Sequence, residues 1–544
     1  MANHLFYGDN LIVLRESIPT ESVDLIYLDP PFNSQASYNV LFQNPTGQQS
    51  EAQLHAFVDT WHWDDAAEFA FDQVMRGENS DVAEMLRAMR SFLRENDMMA
   101  YLAMMSVRLI ELHRVLKPTG TLYLHCDHTA SHYLKLLLDQ IFGIERFQAE
   151  ILWQRTATHN DAKRWPWLSD SLLCYTKSSR FTWNPVYRPQ SDDDIEKRYR
   201  FKEADGRRYR LGPMDAPAGG GMSAINKTTG KPNGWYEWRG YQPPRQGWRY
   251  SPETMQKLHD QGLIHYPEDK SKRLAKKLYL DESKGAMVGN IWTDIAPLQA
   301  SSAERLGYST QKPLQLLERV ITASSKPGFV VLDPFCGCGT AIHAAQKLGL
   351  PWIGIDITHL AISLIERRLT DAFPGIQFAV HGTPKDLDGA SALFAQDAYQ
   401  FQWWAVSLVN AVPYGGKKRG ADSGIDGHIY FKPDGRTTEK AIVSVKGGKN
   451  VSVAMIRDLG HVVDREKAKV GVFLTMTEPT APMKVEAVKA GYYETPYGQF
   501  PKLQIFTIAD LFAGKRPQLP WRDVASFKRS PREEFSSQEE LRFG

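Results

Sequence analysis

The residues Asp29-Pro30-Pro31-Phe32 directly follow the run Val23-Asp24-Leu25-Ile26-Tyr27-Leu28. That run is short, apolar and rich in β-formers, so it reads as a buried strand. Two successive prolines offer no N–H to a sheet and hold the backbone extended, so the chain leaves the strand with Asp29 and Phe32 at its carboxyl end. Open α/β sheets bind ligands along that edge. The chemistry this corner suits is group transfer onto a planar amine, whose conjugated nitrogen has a poor lone pair. Asp29 can accept one N–H and the Pro30 carbonyl another, drawing electron density onto the nitrogen while the Phe32 ring stacks on the heterocycle. A strand-ending Asp-Pro is also a plain turn, so taken alone the four residues leave both readings open.

A second corner lies between Gly328 and Ile357. Phe329–Leu332 reads as a buried strand, Asp333-Pro334-Phe335-Cys336-Gly337-Cys338-Gly339-Thr340 as a tight glycine turn, and Ala341–Leu348 as a helix. Trp352–Ile355 is a further strand, ending at Asp356. Glycines let backbone approach a nucleoside closely, and an acid one βα unit later can accept hydrogen bonds from both ribose hydroxyls. A dinucleotide site uses a similar plan, but Gly337-Cys338-Gly339-Thr340 is not the Gly-x-Gly-x-x-Gly phosphate turn. Cys336 and Cys338 sit too close together for a metal site and have no His or Cys partners nearby.

Alternating elements must hold these corners. His4–Asp9 reads as a strand and Asn10–Ser17 as a capped helix, leading to the Asp29 strand. Ser34–Glu95 is a polar, aromatic-rich excursion containing Trp61-His62-Trp63 and a helix over Asp81–Leu93. Its readings are a lid, a DNA-contacting insertion or a surface loop. A helix over Asn96–Leu116, a strand over Thr121–Cys126, a helix over Thr129–Phe142 and strands at Glu150–Trp153 and Leu172–Tyr175 complete half of a doubly wound α/β sheet, residues 1–176. The alternation stops over residues 177–307. Trp235-Tyr236-Glu237-Trp238-Arg239-Gly240-Tyr241, with Arg245, Trp248, Arg249 and Tyr250, interleaves rings and guanidinium groups, as a DNA-reading region requires; a Trp-rich core with a basic rim is the other reading. Residues 308–380 resume the α/β pattern.

A chain of 544 residues is long enough for about three domains. The 65 basic and 63 acidic residues nearly cancel to +2, so only local charge speaks about partners. The four cysteines, Cys126, Cys174, Cys336 and Cys338, give neither a disulfide framework nor zinc spacing, which suits a reducing cytoplasm. No stretch reaches the roughly 18 apolar residues of a membrane span, no signal pattern follows Met1, and no phosphate-binding P-loop is found.

Taken together, the Asp29 corner, the intervening region, Thr310-Gln311-Lys312-Pro313-Leu314, the Asp333–Thr340 turn and Trp352–Asp356 occur in an order that resembles the β class of DNA amino-methyltransferases, over about residues 1 to 380. The resemblance implies a Rossmann-like methyltransferase sheet that takes S-adenosylmethionine as cofactor and double-stranded DNA as partner. Asp333, Phe335, Gly337, Gly339 and Thr340 would form the cofactor turn, Asp356 would meet the ribose, Asp9 the cofactor adenine and Lys312 the cofactor carboxylate. Asp29, Pro30, Pro31 and Phe32 would hold the target amine. The acid is typical of adenine methylation, whereas cytosine-N4 enzymes more often carry Ser; Phe32 stands where Tyr is commoner and lacks its hydroxyl. The implied reaction is in-line displacement at a sulfonium methyl, with the base flipped out of the duplex and no metal required.

After a polar linker at Pro374–Ala392, a helix is expected over Phe394–Val412. Gly424-Ile425-Asp426-Gly427 then opens one strand, and Ala441–Gly448 forms the next after a turn at Pro433-Asp434-Gly435. Pairing would set Asp426 beside Lys446, a carboxylate for a divalent metal next to a lysine. Residues 394–520 resemble the Mrr-like branch of the PD-(D/E)xK nucleases, a smaller α/β domain, with Ser444 where Glu or Gln is usual. An Mg²⁺-dependent nuclease with Asp426 as metal ligand and an inert DNA-binding domain both stay open. The expected function is site-specific adenine methylation, within restriction-modification. The alternatives are cytosine-N4 methylation, or a metal-dependent nuclease whose methyltransferase part senses DNA. A homodimer is compatible with either.

Overall fold

The computed structural model describes residues 3–31, 62–157, 163–219, 221–299, 302, 304–306, 310–414, 424–434, 437–520 and 532–533, and the backbone of 37–43 and 49–58. Phe32, Trp61 and Gly435 lie outside them, as does nearly all of the tail after Pro520. Two compact units result: Met1–Asn184 with Gly289–Gly544, and Pro185–Val288.

In the first unit, the described residues form a nine-stranded sheet from β1 (Asn3–Tyr7), β2 (Val23–Leu28), β3 (Leu116–Cys126), β4 (Phe147–Gln154), β5 (Ser169–Thr176), β6 (Ile291–Trp292), β7 (Val331–Asp333), β8 (Trp352–Asp356) and β9 (Phe378–His381). Their order is β6-β4-β5-β3-β2-β7-β8-β1-β9. Only β5 runs antiparallel to its neighbours. All six residues of β2 are buried, the pattern of a strand covered on both faces. The long helix Asp97–Val115 starts at the Asn96 cap, whose side chain accepts from the Met99 amide, and buries Met99–Val107 almost throughout. It closes one face of the core with Leu86, Leu134 and Leu138.

Within the excursion, Ser37–Gln43 pairs with Gln49–Val58 as a hairpin. Asp65–Arg76 is a helix that the polar sequence did not announce, capped by Asp64 on the Ala67 amide. Ser80–Leu93 is the second helix.

The stretch expected as a linker is structural. Phe378–His381 adds β9 to the sheet edge beside β1, and the single helix expected over Phe394–Val412 is two, Leu387–Gln396 and Ala398–Leu408. Asp397 breaks them, because its carboxylate accepts from the Tyr399 and Gln400 amides and starts a new helix. Beyond them β10 (Val412–Pro413), β11 (Gly427–Phe431), β12 (Glu439–Lys446), β13 (Val470–Thr475) and β14 (Leu503–Thr507) form a mixed five-stranded sheet in sequence order. Cores centred on Phe401 and Val443, and on Ile456 and Phe473, cover it.

The second unit is shorter than the expected 177–307, because Gly289 onward returns to the first and Ile291–Trp292 joins the sheet edge. Three of its rings form a core, whereas Trp235 stays exposed. Trp238, Tyr241 and Trp248 are buried with Met214, Met255 and Leu258, and the Trp248 and Trp238 indoles spend their N–H on the Tyr236 carbonyl and the Tyr266 hydroxyl. Apolar contact inside a small domain outweighs exposure of rings that large. Arg239, Arg245 and Arg249 remain exposed around it.

Candidate active site

Four neighbouring strands, β2, β7, β8 and β1, each terminate at an aspartate on the same edge: Asp29, Asp333, Asp356 and Asp9. Strands lie about 4.8 Å apart, so these carboxylates form a row. The register that makes it pairs Ile26 with Leu332, Asp333 with Gly354, and Tyr7 with Asp356. A cavity of about 740 Å³ opens over the row. Asp9, Asp29, Pro30, Pro31, Lys312, Asp333, Phe335, Gly337, Thr340 and Asp356 all line it. The two corners read from sequence are therefore one site.

Cations stand at both ends of the row. Lys312 Nζ donates to Asp29 Oδ2 at 2.5 Å, with little of either side chain exposed. The sequence resemblance aimed Lys312 at the cofactor; the structure also makes it the counter-ion of the proposed amine acceptor. Arg108 donates to Asp9 Oδ2 at 2.9 Å and to Asn10 Oδ1 at 2.6 Å, and Asn10 in turn donates to the Pro334 carbonyl at 2.8 Å. This chain ties the end of β1 to the glycine turn. Arg108 was missed because its helix reads as plain core; one arginine amid Met104, Met105, Val107 and Leu109 was the available signal.

Between these ends the charges crowd. Burial, reinforced by the neighbouring Asp29 and Asp356 charges, pushes the Asp333 carboxyl well above the usual carboxylate range. Burial likewise pushes Asp356 up to about 6, against hydrogen bonds from Thr358 and Gly337. Asp356 Oδ1 accepts the Thr358 amide and hydroxyl, both at 2.9 Å, and Oδ2 accepts the Gly337 amide at 2.9 Å. A carboxylate has about four acceptor positions. Three of these are met from within the chain.

The glycine turn is held from below. Gly339 is left-handed at φ +75°, and a Cβ there would stand 2.7 Å from Ile365 Cγ1. Buried Arg368, another residue the sequence reading missed, donates to the Cys338 carbonyl and to Thr340 Oγ1, each at 3.1 Å. The helix Thr340–Lys347 starts with no side-chain cap, and its first residues, Thr340 and Ala341, line the cavity.

Residues 23–367 match the DNA methylase family. The chain belongs to that family. Residues 395–493 of the methylase match a restriction endonuclease family. It is 29% identical over 371 residues to the type II methyltransferase M.EcaI of Enterobacter cloacae, covering 68% of this chain and 69% of that protein. It is 29% identical to the Mod subunit of the type III restriction-modification enzyme StyLTI of Salmonella typhimurium, over 64% of this chain and half of the relative. The DNA adenine methyltransferase YhdJ of Escherichia coli is 23% identical, over 68% of this chain and 83% of YhdJ. Among solved structures, the putative DNA modification methylase TTHA0409 of Thermus thermophilus, complexed with S-adenosyl-L-methionine, aligns over 70% of this chain and 97% of that one, with 16% identity and a TM-score of 0.33.

In the restriction-endonuclease-like part, β11 and β12 pair Gly427 with Val443. This places Asp426 opposite Ser444 and not Lys446, which lies two residues further along β12. Asp426 Oδ2, however, accepts the Val445 amide at 2.6 Å. Among the described residues no group of three or more His, Cys, Asp or Glu is placed to hold a metal. With Ser444 neutral, the described residues around Asp426 do not fit a divalent ion.

Replacing Gly339 with Ala is expected to lower the unfolding free energy by about 1–3 kcal/mol, read as a shifted denaturant midpoint; an unchanged midpoint contradicts the account of the turn.

Proposed function

We propose that the methylase moves a methyl group from S-adenosylmethionine to the exocyclic amine of a flipped adenine in duplex DNA, as the modification component of a restriction-modification system. The observation that carries this reading is the single cavity bounded on one side by Asp29-Pro30-Pro31 and on the other by the Phe335–Thr340 turn and Asp356. The cavity fits a cofactor of that kind: it has a tight glycine turn, a strand-end carboxylate for one ribose hydroxyl, and a row of acids suited to a cationic ligand. The cofactor supplies an activated methyl on a positively charged sulfur. Asp9, Asp333, Phe335, Gly337, Gly339, Thr340 and Asp356 would hold it, with Lys312, the counter-ion of Asp29, on the same cavity wall.

The chain's own contribution is alignment and hydrogen bonding. Asp29 Oδ1, with Oδ2 committed to Lys312, accepts an amine N–H, and the Pro30 carbonyl accepts the other. Phe32 stacks on the ring in this reading. The Asp65–Arg76 helix adds Ala66, Phe69 and Gln73 to the cavity wall, so part of the excursion screens the site from water. The adenine assignment rests on the acid at position 29; cytosine-N4 transfer uses the same geometry and is distinguished by product analysis.

Labelled-methyl transfer to duplex DNA is the test. Asp29→Ala should lose at least about 10²-fold while retaining donor binding; equal incorporation by wild type and variant removes Asp29 from the mechanism.

Because the Asp356 carboxyl is pushed up to about 6, it protonates as pH falls through 6, losing an acceptor and its negative charge. Donor affinity measured by calorimetry is expected to weaken from pH 7.5 to 5.5, and Asp356→Asn to flatten that dependence. A wild-type affinity independent of pH contradicts this role.

For the C-terminal domain we propose DNA binding without cleavage, since Ser444, the residue opposite Asp426, is neutral where a second carboxylate would serve a metal. Supercoiled DNA with Mg²⁺ should then be nicked no faster by wild type than by Lys446→Ala; faster nicking by wild type restores the nuclease.

A further inference from the structure

The reaction proposed above leaves one proton unassigned. When the amine nitrogen forms its bond to the methyl carbon, the carbon–sulfur bond breaks with its electron pair going to sulfur. The nitrogen then carries a positive charge until it sheds a proton. Asp29 is the nearest acceptor, but its Oδ2 is bound to the Lys312 ammonium, which leaves Oδ1 alone to face the amine.

A buried array begins two residues away. Tyr27 shares the strand face of Asp29 by the two-residue period of a strand, and both line the cavity. The Tyr27 hydroxyl and His125 Nδ1 are 2.8 Å apart. His125 Nε2 and Asp170 Oδ2 are 3.2 Å apart, and Asp170 Oδ1 meets Arg155 Nη1 at 3.2 Å. Tyr27 and Asp170 are 2% exposed and His125 is 0% exposed, whereas the Arg155 side chain is half exposed. The three partners come from adjacent strands, β2, β3 and β5. The row therefore runs from the cavity floor through the sheet to solvent. Core packing alone would be served by Phe and Leu here, since burying polar groups gains little over well-packed apolar ones.

The surroundings favour a mobile proton. Asp29, Asp333 and Asp170 all face Tyr27, and with burial they hold its phenol well above the usual range, so it stays a neutral donor. His125, Lys312 and Arg155 hold Asp170 below the usual carboxylate range, so it stays an anion that can face an imidazolium. Cys126, adjacent to His125, is kept as a thiol by burial.

Resting on the methyl-transfer reading, we propose that Tyr27, His125 and Asp170 are a proton relay that carries the amine proton out of the site. Asp29 takes the proton from nitrogen and passes it to the Tyr27 oxygen. Tyr27 gives its own hydroxyl proton to His125 Nδ1, and the imidazolium, held by Asp170, keeps it until the emptied cavity admits water, to which it returns through Tyr27. No electrons move in these steps, and each oxygen regains its starting protonation. Tyr27 faces the reacting groups; His125 and Asp170 act through it.

The test is single-turnover methylation of duplex DNA in H₂O and D₂O by wild type, Tyr27→Phe and His125→Gln, with donor affinity by calorimetry and base extrusion by 2-aminopurine fluorescence. Tyr27→Phe removes one oxygen and keeps the ring, so it answers the question even where His125→Gln fails to fold. The relay predicts a normal solvent isotope effect in the wild type, a roughly 10²-fold slower chemical step with an altered isotope effect in Tyr27→Phe, and unchanged donor affinity and base extrusion. A single-turnover rate within twofold of wild type, or a slower rate with an unchanged isotope effect, overturns the relay and leaves methyl transfer standing. Absence of any transfer by wild type overturns the function and the relay with it.

Discussion

Four aspartates side by side at the carboxyl edge of one sheet are the arrangement on which everything else depends. Like charges at strand spacing repel, and each costs more as it is buried. The fold tolerates them because Lys312 and Arg108 neutralise the two ends, and because backbone and hydroxyl donors from Gly337 and Thr358 bind Asp356. Burial, joined at Asp333 by the neighbouring Asp29 and Asp356 charges, raises the proton affinity of Asp333 and Asp356. A site with a surplus of acid in a partly enclosed cavity is prepared for a cationic ligand, and the charge of a sulfonium donor meets that demand.

The row exists because segments far apart in sequence become sheet neighbours. β2 and β7 pair across a separation of 306 residues, where the Asp24 carboxylate accepts the Val330 amide and is itself paired with Lys117. The unit Pro185–Val288 is inserted between them in the chain, yet the Asp29 corner and the glycine turn still share one cavity. The order of elements along the sequence can thus be permuted while the edge geometry is kept, as expected when function resides in a site carried on a scaffold.

Much of this was legible in the residues. Prolines after a buried strand located Asp29, glycines with a strand-end acid located the Asp333–Asp356 turn, and the helix around Leu102–Leu112 showed its apolar spacing plainly. What failed to show had physical causes. Lys312 has no local pattern that reveals Asp29 as its partner, because the pair is made by tertiary packing. Arg108 and Arg368 look like solitary charges on core helices until the loops they brace are in place. The rings of Trp238 and Trp248 read equally as stacking platform or core, since composition does not state which side faces solvent. The stretch after Pro374 seemed a linker because β9 is only four residues long, too short for a period to emerge.

The claim that one cavity receives the methyl donor on the side of the glycine turn, leaving the Asp29 corner for the base, is tested most directly by titrating S-adenosylmethionine into the DNA-free protein in a calorimeter. The account predicts saturable one-to-one uptake by the wild type, kept by Asp29→Ala and lost by Asp356→Ala. No uptake by the wild type, or uptake that fails in Asp29→Ala and survives in Asp356→Ala, would contradict it.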